Sequence, residues 1–128
     1  MTLTIRLPEP PSANAYWRSV TIGGRARVLL SREARAYKAA VASQCDRTPG
    51  LVLGRYYADV PLRLTLTWHR SKRMGDLSNR IKVLEDALNG LLWVDDKQIE
   101  EIHAFRRESP RDGYVDVSVE PTTLDDPQ

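Results

Sequence analysis

The chain has 128 residues, enough for one domain with a real core and no need of covalent staples. Its one cysteine, Cys45, excludes an internal disulfide and a cysteine-rich zinc site. A net charge of +2 selects no partner by itself, but the arginines gather between Arg18 and Lys38, in His69-Arg70-Ser71-Lys72-Arg73, and at Arg106, Arg107 and Arg111. No apolar run approaches the ~18 residues that cross a bilayer. The opening Met-Thr-Leu-Thr-Ile-Arg lacks the basic and apolar regions of a signal peptide, so a reduced, cytoplasmic setting is expected.

Residues 2–7 alternate Leu3, Ile5 and Leu7 with Thr4 and Arg6, the period of a half-buried strand. Pro8-Glu9-Pro10-Pro11-Ser12-Ala13-Asn14 stops it and predicts an irregular loop. Gly23-Gly24, between stretches of strand character, predicts a hairpin within residues 16–30. Ser31 is placed as the N-cap of an Ala-rich helix running to about Cys45. Residues 46–59 carry Pro49, Gly50 and Gly54 and read as a connection. Leu62, Leu64, Leu66 and Trp68 alternate with Arg63, Thr65, Thr67 and His69, a clear strand over 60–69. Residues 99–107 look extended, Asp112-Gly113 marks a turn, and 114–120 alternates Val115, Val117 and Val119 with polar residues. A loose tail is expected from 121 to 128, leaving 1–120 as a single α+β domain, a mixed sheet with two main helices packed on it.

The most informative stretch lies between Gly75 and Gln98. Leu77, Ile81, Leu84 and Leu88 fall within roughly 60° of one another on a helix, while Asn79, Lys82 and Asp86 share the opposite side. Asp76 stands at the start and Asp95-Asp96 beyond the end. A helix over 77–89 is roughly 20 Å long, and residues 90–96, if extended, cover roughly 23 Å. With Gly90 as a left-handed C′ residue, the chain can return Asp96 towards Asp76. The residues alone leave duller readings open. Asp76 could only cap the helix, Lys82 could pair with Glu85 or Asp86, and Asp95-Asp96 could be a solvated turn. Trp17, Trp68 and Trp93 read as packing rather than stacking platforms, and His69 as a strand-surface residue.

These segments together resemble the RusA family of Holliday junction resolvases. Leu7-Pro8-Glu9-Pro10-Pro11-Ser12-Ala13-Asn14-Ala15-Tyr16 resembles its Leu-Pro-x-Pro-Pro-Ser-x-Asn-x-Tyr opening. Ser31 to Tyr37 resembles its Ser-x-Glu-x-x-x-Tyr helix start, and Asp76-Leu77-Ser78-Asn79-Arg80-Ile81-Lys82 its Asp-x-Asp-Asn-x-x-Lys core. Asp86-Ala87-Leu88 and Asp95-Asp96-x-Gln98 follow in order. The resemblance implies a Mg²⁺-dependent endodeoxyribonuclease, with Mn²⁺ able to substitute. Such an enzyme resolves four-way or branched DNA by paired nicks as a homodimer, in a bacterium or as a phage protein. It assigns Asp76, Asp96, Lys82 and Asn79 as catalytic, with Asp76, Asp96 and Asp95 on the metal. Arg70, Lys72, Arg73, Arg80 and Asn14 are placed on the DNA.

One departure stands out: Ser78 occupies the position of the second aspartate. A serine hydroxyl is a neutral, poor Mg²⁺ ligand, so metal affinity or cutting should fall unless Asp95, Glu85 or Asp86 takes over. Two alternatives therefore remain: a junction-binding protein that cuts weakly or not at all, and a protein-interaction module with an acidic helix face.

Overall fold

A computed structural model of the chain describes residues 2–48, 60–73, 75–109 and 111–122. Strand β1 (Leu3–Pro8) leads into a four-residue helix α1 (Ala13–Tyr16), then a hairpin of β2 (Trp17–Ile22) and β3 (Arg25–Leu30). Helix α2 (Arg32–Asp46), β4 (Leu62–Arg70), α3 (Leu77–Leu88), a 3₁₀ turn (Asp96–Gln98), β5 (Ile99–Glu108) and β6 (Tyr114–Pro121) follow. The connection expected over 46–59 lies mostly outside the described residues.

Four strands form one mixed sheet in the order β1-β6-β4-β5, and β2 and β3 pair separately. β6 runs antiparallel to both β1 and β4. β4 and β5 are parallel, and α3 is the crossover between them, as parallel pairing requires. The alternation seen in the sequence becomes two faces. Leu62, Leu64, Leu66 and Trp68 are buried with Val115, Val117, Val119, Ile5 and Leu7. Ala34, Tyr37, Val41 and Cys45 of α2 and Val83, Leu84, Ala87 and Leu88 of α3 complete that core. The other face is a polar ladder, with Arg63 bonded to Glu101 and Glu120 and Arg6 to Asp116.

Trp68 and Trp93 are both fully buried, and Trp17 packs at the margin of the core, so the tryptophans serve packing. Truncating either buried ring to alanine should cost about 3–5 kcal/mol. Ser31 caps α2, its Oγ accepting from the Ala34 N–H at 3.0 Å. The loop expected over 8–14 is partly helical instead. The Ser12 Oγ accepts from the Ala15 N–H at 3.1 Å, and that cap supports a single turn ending in the fully buried Tyr16. At the far end β6 runs through Pro121, and Thr122 is buried, its N–H donating to the Pro61 carbonyl at 3.0 Å. Residues 123–128 of the expected tail lie outside the described residues.

Candidate nuclease site

Helix α3 sets out from Gly75, which holds φ at +101°. A Cβ there would lie 3.0 Å from Arg80 Nη2 and 3.2 Å from the Trp68 ring. Glycine is thus required both for the backbone turn and for the close approach of Arg80. Asp76 is the N-cap residue, yet its side chain makes no cap hydrogen bond. Capping alone therefore does not account for this aspartate. Its exposed carboxylate borders a cavity of about 430 Å³ with Ser12, Asn14, Asn79 and Arg80.

Two distant segments meet at that cavity through one bond. The Asn79 Oδ1 accepts from the Ala13 N–H at 2.6 Å, which holds Asn14 on the cavity that Asp76 also lines. Arg80 lies with its guanidinium carbon 4.8 Å from the Trp68 ring centroid. Burial lowers the Arg80 pKa, while the charges of Glu9 and Asp76 work the other way. Its Nε is buried and has no hydrogen-bond partner among the described residues.

Behind Arg80 stands Glu9, which the sequence reading left without a role. Its carboxylate accepts from Trp68 Nε1 at 2.9 Å, the Ser71 N–H at 3.0 Å and Ser71 Oγ at 2.6 Å. Burial acts to raise the Glu9 pKa, but those bonds and the Arg80 charge outweigh it and lower the value. Glu9 and Arg80 border a second cavity together with Lys72. An acid inside a proline-rich loop was the available signal, because a lone carboxylate there requires donors.

Further along α3, exposed Lys82 borders a cavity with Asn14 and the root of the β2–β3 hairpin. The return from α3 is not extended, contrary to the reach argument. Leu91 and Leu92 N–H groups both donate to the Leu88 carbonyl, and the Gly90 N–H donates to Trp93 O at 2.7 Å. Burial of Leu92 and Trp93 favours this tight coil over a straight run. Asp96 then accepts from Trp93 Nε1 at 2.6 Å, and Asp95 caps the 3₁₀ turn with Gln98 in a capping box. Burial raises the Glu85 pKa, the charge of Asp96 adds to the rise, and Lys82 opposes it.

The charged groups thus form a strip of mixed sign, acidic Asp76, then basic Lys82, then the acids Glu85 and Asp96. Among the described residues no three carboxylates, histidines or cysteines converge into a metal-holding group. Asp86 is engaged elsewhere, accepting from Tyr16 Oη at 2.5 Å and lying 3.6 Å from Lys38 Nζ. Arg70 is paired with Glu108 at 2.7 Å and donates to Gly75 O at 3.2 Å, so it braces the loop before Asp76. Arg73 is exposed, and its charge reaches Glu108.

The family profile described as Endodeoxyribonuclease RusA matches residues 8–120. This chain belongs to the RusA endodeoxyribonuclease family. Its relatives include the crossover junction endodeoxyribonuclease RusA of Escherichia coli (strain K12), 29% identical over 120 residues, 92% of this chain and 93% of that protein. The enzyme of the same name from Enterobacteria phage 82 is 30% identical over the same span, and that of Shigella sonnei (strain Ss046) is 28% identical. No helix among the described residues is long and apolar enough to cross a membrane.

Proposed function

We propose that this RusA-family chain is a divalent-metal-dependent nuclease that resolves four-way and branched DNA. It would make paired nicks as a homodimer, in the cytoplasm of a bacterium or of a phage-infected host. The observation that carries the reading is the cavity shared by Asp76, Asn14, Asn79 and Arg80. It presents one uncommitted carboxylate beside amide oxygens and a guanidinium, and four-way DNA fits because the relatives are named for crossover junctions.

The residues fit Mg²⁺ or Mn²⁺. Such an ion takes hard oxygen donors, keeps several waters, and needs only one or two carboxylates plus substrate phosphate. Asp76 would hold it with Asn14 as neighbour, and Asp96, with Asp95 adjoining, is the second acidic position assigned to the metal. When bound, the ion supplies Lewis acidity and a water activated for attack on phosphorus. The chain's own residues do the rest. Lys82 presents its ammonium to the scissile phosphate, Arg80 offers a fixed guanidinium, and Asn79 holds the 12–14 turn against α3. Lys72 and Arg73 attract the DNA backbone, while Arg70 acts through its brace on Gly75.

Ser78, exposed in the first turn of α3, favours a second reading, a junction binder that cuts poorly. A labelled four-way junction with added Mg²⁺ or Mn²⁺ separates the two. Cutting by the native chain, loss of cutting in Asp76→Asn with binding retained, and faster cutting in Ser78→Asp support the nuclease. Full activity in Asp76→Asn would remove the assignment, and binding with no cutting under either metal would favour the binder.

A further inference from the structure

The β2–β3 hairpin stands apart from the main sheet, and its register separates its residues cleanly. Cross-strand partners share a face, and the pairs Arg18–Leu29, Val20–Arg27 and Ile22–Arg25 alternate with Trp17–Leu30, Ser19–Val28 and Thr21–Ala26. The first face therefore carries all three arginines of the hairpin, interleaved with Val20, Ile22 and Leu29. Residues 17–30 contain no acidic side chain, and the three arginines are exposed with no carboxylate partner among the described residues.

The second face is anchored at its root. Trp17 and Leu30 pack against the core, and Ser19 and Val28 border the cavity that contains Lys82 and Asn14. Arg18 borders the same cavity. The cationic ribbon thus rises directly from the strip proposed to do the cutting.

We infer that the β2–β3 ribbon is a DNA-gripping arm, with Arg18, Arg25 and Arg27 on the phosphates of the duplex next to the cut. This rests on the reading of the chain as a junction nuclease. Successive rungs of one face are two residues apart, roughly 7 Å. A DNA strand carries a charge every ~3.4 Å of its axis, so each arginine has a phosphate within reach. A two-stranded ribbon also fits the major groove. The exposed apolar residues Ile22 and Leu29 supply contact area between the charges. A second copy of the chain is the poorer occupant, because a two-fold contact through this face would set arginine against arginine.

The test uses the whole protein with Arg18, Arg25 and Arg27 changed together to alanine, and in a second variant to lysine. Junction binding is measured across a salt series without divalent metal, and solution mass is measured in parallel. Each lost phosphate contact should lower the slope of log K against log salt by about 0.9, so roughly 2.7 per chain for the alanine variant and about 5.4 where both arms of a homodimer hold the junction. The lysine variant should keep most of the slope, and neither should change the solution mass. An unchanged slope in the alanine variant, while the native chain binds and cuts, overturns the arm and leaves the nuclease reading standing. A change in solution mass on substitution overturns it in favour of a self-association surface. Failure of the native chain to bind a junction at all removes both.

Discussion

The Asn79 side-chain oxygen and the Ala13 backbone N–H, 66 positions apart, meet at 2.6 Å and hold the 12–14 turn against the start of α3. Asn79 therefore works first as a clamp, whatever its amide nitrogen does in the reaction. Asn79→Ala leaves a partly buried donor unpaired, which costs roughly 1–3 kcal/mol. Asn79→Asp keeps an acceptor in place. The expected result is a lower urea midpoint for the alanine variant, largely restored by aspartate, with cleavage following stability. If aspartate restores the midpoint but not cleavage, the amide nitrogen has its own part in the chemistry.

Glu9 makes stability depend on pH in a definite direction. Its folded-state pKa lies below the ordinary 4.5, so its contribution is complete above that value and disappears as pH falls through the lower folded value. Glu9→Gln places a donor where the carboxylate accepts from Trp68 and Ser71. Denaturant midpoints from neutral into acid solution should show a loss of about 1–3 kcal/mol at neutral pH and a flatter acid limb. An unaltered acid limb would mean that other carboxylates dominate acid unfolding.

The strands and the two main helices were legible because each has a period that one buried face enforces. Leu62 to Trp68 and Val115 to Val119 read out their own burial, and Ser31 announced α2. The order of the strands was not legible, since β6 between β1 and β4 depends on pairing across more than a hundred positions. In the site, the sequence isolated Asp76, Asn79, Arg80 and Asn14, which the fold does gather round one cavity. It missed Glu9, whose three donors come from β4 and the turn after it. The return to Asp96 coils where the reach estimate allowed an extended run, because reading Trp93 as packing does not tell that its burial, with Leu92, bends the chain. Nor does periodicity show that Arg70, expected on the DNA, pairs with Glu108, 38 positions on.

The bond between Tyr16 and Asp86 tests whether Asp86 can replace the aspartate missing at position 78. Tyr16 is fully buried, and burial together with the Asp86 charge raises its pKa, so the hydroxyl remains a donor. Asp86→Ala strands that hydroxyl and should cost roughly 1–3 kcal/mol, whereas Tyr16→Phe should cost about 1 kcal/mol. The double variant should lose less than the sum, as coupled partners do. Junction cutting, measured where each variant is fully folded, should barely change. A large loss of cutting in folded Asp86→Ala would move this carboxylate from the scaffold into the site.

Gly75 links backbone geometry to the charge that faces the substrate. Alanine at φ +101° is strained, by about 1 kcal/mol or more, and its Cβ would lie 3.0 Å from Arg80 Nη2. Gly75→Ala should therefore lower the unfolding midpoint and displace the guanidinium from Trp68. The combination with Arg80→Ala separates the two effects. It removes the contact but keeps the backbone strain, so the double variant should be more stable than the sum of the single losses predicts. Cutting should be equally weak in Arg80→Ala with or without the glycine change, because the displaced group is already gone. If Gly75→Ala lowers stability but cuts like the native chain, Arg80 does not need its seat on Trp68 to serve the phosphate.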